Sequence, residues 1–99
     1  MIKATIRLSS VFVDRPKIEE IMLNEFDTAV EYMDGTGSKQ RISIGEIFNL
    51  YKTGNVYYKD ARELDEQLTP ETFEQWFYHK YINERGLSQR VLSIEYHRI

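Results

Sequence analysis

Ile2-Lys3-Ala4-Thr5-Ile6-Arg7-Leu8-Ser9 opens the chain on a strict alternation. Ile2, Ala4, Ile6, Leu8 and Phe12 share one parity, and Lys3, Thr5, Arg7 and Ser9 take the other, which is the period of a strand buried on one face. From Val11 onward both parities turn apolar, so the far end of this strand is expected to be covered on both sides. The alternation returns at the other end of the chain, where Leu92, Ile94 and Tyr96 interleave with Ser93, Glu95 and His97. Strands at both ends bracket everything between them.

Moving inward, Asp14 offers an N-cap and Pro16 a first helical turn. Ile18, Ile21, Met22 and Phe26 then recur at helical spacing, predicting a helix over about 16–26. Thr28 to Met33 and Lys39 to Ile44 read as a hairpin closed by Asp34-Gly35-Thr36-Gly37-Ser38. Ser43 and Glu46 have capping-box spacing, with Ile42 and Ile47 as a hydrophobic staple, and the helix they open should run to Thr53 and end at Gly54. Asn55 to Lys59 is a short β-prone stretch. Asp60 and Glu63 repeat the capping-box spacing and predict a brief helix ending near Leu68. Thr69-Pro70 starts the last helix, whose buried stripe is Phe73, Trp76, Phe77 and Tyr81; Gly86 ends it, with Leu87 placed for a Schellman contact. These elements predict one domain over 1–99 of α+β class: a mainly antiparallel sheet of about four strands with helices packed on one face. A ferredoxin-like βαββαβ order with an added helix is one topology that fits, and it sets the terminal strand beside the first.

The composition excludes whole classes of chemistry. The 99 residues hold no cysteine, which removes thiolate catalysis, disulfides and zinc ribbons and fits a reducing, cytoplasmic setting. No apolar run approaches the roughly 20 residues of a membrane span, and none of the short ones is built like a secretory leader. His79 and His97 sit at polar positions of a helix and a strand, with no nucleophile that spacing brings to either. Glu71 and Glu74 occupy a helical first turn, where the dipole favours anions, and no carboxylate falls at a clearly apolar position where its pKa would rise. There is no HExxH, no calcium-loop spacing in Asp60, Glu63, Asp65 and Glu66, and no GxxxxGK[ST] around Gly35-Thr36-Gly37-Ser38-Lys39. The chain is therefore expected to be no enzyme, with no catalytic residue, cofactor or metal.

Surface character is what remains. The net charge is −3, and aromatics make up 13% of the chain. Ile18 to Gly35 holds six acids and no Lys or Arg; Asp60 to Glu74 holds six more against Arg62 alone. Tyr57 and Tyr58 are adjacent, so in an extended segment they point to opposite faces, and Tyr78 projects about 100° from Phe77 on a helix. Exposed tyrosines are interface anchors, and carboxylates steer encounter with basic surfaces. The reading is a small acidic protein-binding module that docks on a partner with a basic surface through Tyr57, Tyr58, Glu63, Glu66, Glu74 and Tyr78. Short, acidic, cysteine-free, tyrosine-rich and motif-poor, the chain resembles in composition many small phage-encoded proteins that bind and block host machinery, anti-CRISPR proteins among them. That resemblance implies an inhibitor covering a basic surface of a nucleic-acid-handling or defence complex. One alternative is a nucleic-acid-binding domain using Lys3, Arg7, Lys39 and Arg41 on a sheet face, which the net charge disfavours. Another is a small-ligand or nucleotide-binding homo-oligomer.

Overall fold

A computed structural model describes residues 1–10, 15–33, 36–54, 57–58 and 67–99, with residues 32, 33, 57, 58 and 67 as backbone. Its elements are β1 (Ile2–Leu8), β2 (Lys17–Leu23), β3 (Thr28–Met33), β4 (Lys39–Ser43), α1 (Ile44–Thr53), β5 (Tyr57–Tyr58), β6 (Gln67–Leu68), α2 (Glu71–Tyr78) and β7 (Val91–Arg98). The class is α+β, and every ladder is antiparallel. Among the described residues the strands form three sheets, β2-β1-β7, β3-β4 and β5-β6, rather than one sheet of about four. The chain divides into two compact units, one of Met1–Asn24 with Phe77–Ile99 and one of Glu25–Trp76.

In the first unit β1 is the central strand. Ile2, Ala4, Ile6 and Leu8 are all buried, as their shared parity demands. The terminal strand does lie beside the first: Ala4 is opposite Tyr96 and Ile6 opposite Ile94. The ladder is extended at both ends, where Ser9 N–H donates to Arg90 O (2.7 Å) and Ile99 N–H to Met1 O (2.9 Å).

The other edge of β1 overturns the helix expected over 16–26. Lys17–Leu23 is a strand, paired from Leu8↔Lys17 to Ile2↔Leu23. The segment carries both periods, and Ile21 and Leu23 alternate with Glu20 and Met22 as readily as Ile18, Ile21 and Met22 recur helically. A central strand must satisfy backbone donors and acceptors on both edges, and that demand decides between the two. Asp14, the expected cap, lies outside the described residues. Phe26, expected on the buried stripe, sits in the turn before β3 and is 91% exposed. With no helix among the described residues between β1 and β3, the elements do not follow the βαββαβ order.

Leu92 is a second correction. Leu8 pairs with Val91 but Arg7 with Ser93, so a bulge inserts Leu92 and shifts the parity of β7. The residue that simple alternation turns inward is 59% exposed.

After α2 the chain widens into a π-helical turn, His79–Asn83, in which Glu84 N–H donates to His79 O at 3.1 Å. It ends in the expected Schellman motif: Gly86 adopts φ 66° and donates to Asn83 O, and Leu87 N–H donates to Ile82 O. Arg85, in the turn that follows, forms a bidentate pair with Glu19 of β2 (2.7 and 2.9 Å). The guanidinium's hydrogen bonds hold the Glu19 carboxyl below its usual 4.5, against the opposing effect of partial burial and with help from the Arg85 and Lys17 charges. A depressed carboxylate pKa gives stability that is present above 4.5 and is lost as pH falls through the folded-state value. Both groups are partly exposed, so Arg85→Gln should cost about 1 kcal/mol near neutrality. Urea denaturation at a series of pH values should show that difference closing in acid; a pH-independent difference would assign the loss to packing of the Arg85 stem.

The second unit holds the hairpin and α1. β3 pairs with β4 from Met33↔Lys39 to Thr28↔Ser43. The capping box forms in full: Ser43 N–H donates to Glu46 Oε2 (2.9 Å) and Glu46 N–H to Ser43 Oγ (3.2 Å). Ile42 and Ile47, the staple residues, are both buried. Gly54 closes α1 at φ 71°, donating to Leu50 O at 2.9 Å. At the other end of α1 the backbone of 25–27 approaches closely. Gly45 N–H donates to Glu25 O (2.9 Å), and a Cβ on Gly45 would stand 3.1 Å from Glu25 Cβ. The brief helix expected from Asp60 falls mostly outside the described residues, and its expected end, Gln67–Leu68, is β6, paired with β5. Within the β-prone stretch, Tyr57–Tyr58 is a small strand. Thr69, the expected cap of α2, donates its own N–H to Thr72 Oγ1 (3.0 Å), the backward half of a capping box.

Candidate functional site

Of the six residues expected to bind a partner, Glu63 and Glu66 lie outside the described residues. Tyr57 and Tyr58 are described as backbone, in the ladder Tyr57↔Leu68 and Tyr58↔Gln67. The other two, Glu74 and Tyr78, lie on α2, Glu74 exposed and Tyr78 half-buried.

Glu74 has company that its sequence neighbourhood does not reveal. In the second unit Phe73 is fully buried and is the hub of a ring cluster, 5.0 Å edge-on from Phe48, 5.7 Å from Tyr51 and 6.0 Å from Trp76. Phe48 is equally buried, whereas Tyr51 and Trp76 are half-buried at the rim. The Tyr51 hydroxyl donates to the Glu74 carboxylate. Burial pushes the Tyr51 phenol up, and the charge and hydrogen bond of Glu74 push it the same way. Lys52 Nζ lies 5.5 Å above the Phe48 ring and 5.8 Å above that of Tyr51. Exposed Glu71 precedes Glu74 by one helical turn. The result is a rim of one tyrosine and one tryptophan with two carboxylates and one lysine beside it. Such a rim can bury aromatic area against a partner while its acids pair with cations. Tyr51 and Trp76 are absent from the expected site because α1 and α2 each present them as part of an apolar stripe. Only the packing shows that both end at the surface.

The basic residues of the alternative reading are distributed between the two units. Lys39 and Arg41 both pair with Glu31 across the β3–β4 hairpin (3.1 and 3.2 Å). On the outer face of β1, Lys3 is 3.8 Å from Glu20. Among the described residues, that face carries no Phe, Tyr or Trp on which a base could stack, and its one ring is His97 at the end of a row. His79 and His97 are exposed, each near one carboxylate: Glu84 at 3.5 Å and Glu95 at 3.7 Å. Among the described residues no three His, Asp or Glu side chains cluster as metal ligands, and no helix is long and apolar enough to cross a membrane. No family model, curated protein or solved structure matches the chain.

Proposed function

We propose that the chain is a small non-enzymatic protein-binding module that occupies a basic surface of its partner, in the manner of an inhibitor of a nucleic-acid-handling or defence complex. What supports this is the rim in the second unit, with exposed Glu71 and Glu74 on α2 next to half-buried Tyr51 and Trp76. Glu63, Glu66 and Glu74 steer the encounter, and Tyr57 and Tyr58 anchor it together with Trp76. The two roles separate kinetically, because charge acts over a Debye length of about 8 Å whereas ring burial acts only on contact.

The test is affinity capture from lysate of the source cell, identification by mass spectrometry, and association kinetics with the purified partner. Glu63, Glu66 and Glu74 reversed together to lysine should slow association about tenfold or more, as should added salt on the wild type. Trp76→Ala should speed dissociation with little change in association. His79→Ala with His97→Ala should leave capture intact. If the acid reversals change nothing while Arg7→Ala and Arg41→Ala abolish capture, the acidic docking surface is wrong.

A further inference from the structure

The outer face of the β2-β1-β7 sheet has a charge pattern that its own register makes explicit. Three cross-strand rows can be read off it: Met22, Lys3, His97; Glu20, Thr5, Glu95; and Ile18, Arg7, Ser93. Thr5 is therefore at the centre of a cross. Lys3 and Arg7 stand before and after it along β1, and Glu20 and Glu95 stand on either side of it on β2 and β7. These side chains face solvent, Ile18 at 60% and Met22 at 48% exposure, with only Lys3 and Thr5 half-buried. The two cations and two anions of the cross sum to zero, so they give the face no net charge to draw a polyanion.

A cross of this kind is complementary to itself after a quarter turn. Residues i and i+2 on a strand are about 6.8 Å apart and neighbouring strands about 4.8 Å, so the arms differ by about 2 Å, within the reach of Lys, Arg and Glu side chains. Two such faces stacked with their strands near perpendicular is one of the two ways sheets pack. A two-fold axis along the diagonal through Met22 and Thr5 sets Lys3 against Glu20 of the second copy and Arg7 against Glu95 of the second copy. It also brings Met22 against Met22. We infer that this face is a self-association surface, on which two copies of the chain pack as an orthogonal, charge-matched pair. Three strands bury less than the roughly 1,200–2,000 Å² of a durable interface, so the pair is weak and exchanges rapidly.

Sedimentation velocity on the wild-type chain at about 0.1–1 mM should show a monomer–dimer exchange at low salt. Raising the salt to about 0.5 M should weaken it by about tenfold or more, because four exposed cross-pairs are screened together. Amide shifts on dilution, followed by NMR, should concentrate on Lys3 to Arg7, Ile18 to Met22 and Ser93 to His97. Lys3→Glu with Arg7→Glu should be monomeric, as should Glu20→Lys with Glu95→Lys, and an equimolar mixture of the two variants should associate more tightly than wild type. The salt series and the shift map need no variant and stand if a double variant unfolds. A wild type that stays monomeric at about 1 mM in low salt overturns the proposal. So does a dimer insensitive to salt, or one whose shifts fall elsewhere, such as the outer edges of β2 and β7.

Discussion

Phe77→Ala should lower the unfolding free energy by about 3–5 kcal/mol, the largest effect expected of any single truncation in the first unit. The side chain is fully buried, 5.2 Å edge-on from Tyr96 of β7 and 4.8 Å from Tyr81 in the π-helical turn. Tyr96 is itself buried and stands opposite Ala4, so the ring packs on a strand that is held in the β1–β7 ladder. Alanine would remove ring area from the core and leave a void that neither a paired strand nor a capped helix can collapse into. For a chain of this length the loss shifts the midpoint by about 15–30 °C. Phe77→Leu keeps most of the volume and should recover well over half. Differential scanning calorimetry on the three proteins checks this, and a midpoint for Phe77→Ala within a degree or two of wild type would show that the ring is not packed as described.

Phe73→Ala should cost about as much, 3–5 kcal/mol, through a different part of the molecule. Phe73 touches three other rings, Phe48, Tyr51 and Trp76, so its removal takes a ring contact from each of them at once. Trp76→Ala should cost distinctly less, although tryptophan is larger, because Trp76 is half-buried. A double-mutant cycle on Phe48 and Phe73 isolates the edge-on contact, and a coupling of about 0.5–1.5 kcal/mol is expected beyond simple burial. Chemical denaturation of the four proteins gives the number. Equal costs for Phe73→Ala and Trp76→Ala would mean that the rim is buried as deeply as the hub, and it would remove Trp76 from the proposed docking surface.

The sequence by itself determined whatever depends on neighbours in the chain. Ser43 and Glu46 satisfy each other's orphan backbone groups across three residues, and Gly54 and Gly86 end their helices in the left-handed conformation, so all three features are visible in the residues themselves. The parity of β1 and the β3–β4 hairpin belong to the same class. Glu74 was found as an exposed acid in a first helical turn for the same local reason.

Tertiary structure alone decided the rest. Lys17–Leu23 carries a strand period and a helix period of similar strength, and it becomes β2 because β1 offers it a full edge of backbone hydrogen bonds. Leu92 turns outward because the β1–β7 register slips by one residue, and no local pattern announces a bulge. Tyr51 meets Glu74, and Arg85 meets Glu19, across stretches of chain over which propensity and capping carry no information. Local backbone chemistry is fixed within a few residues of itself, whereas edge pairing, bulges and ring clusters depend on which distant segment arrives.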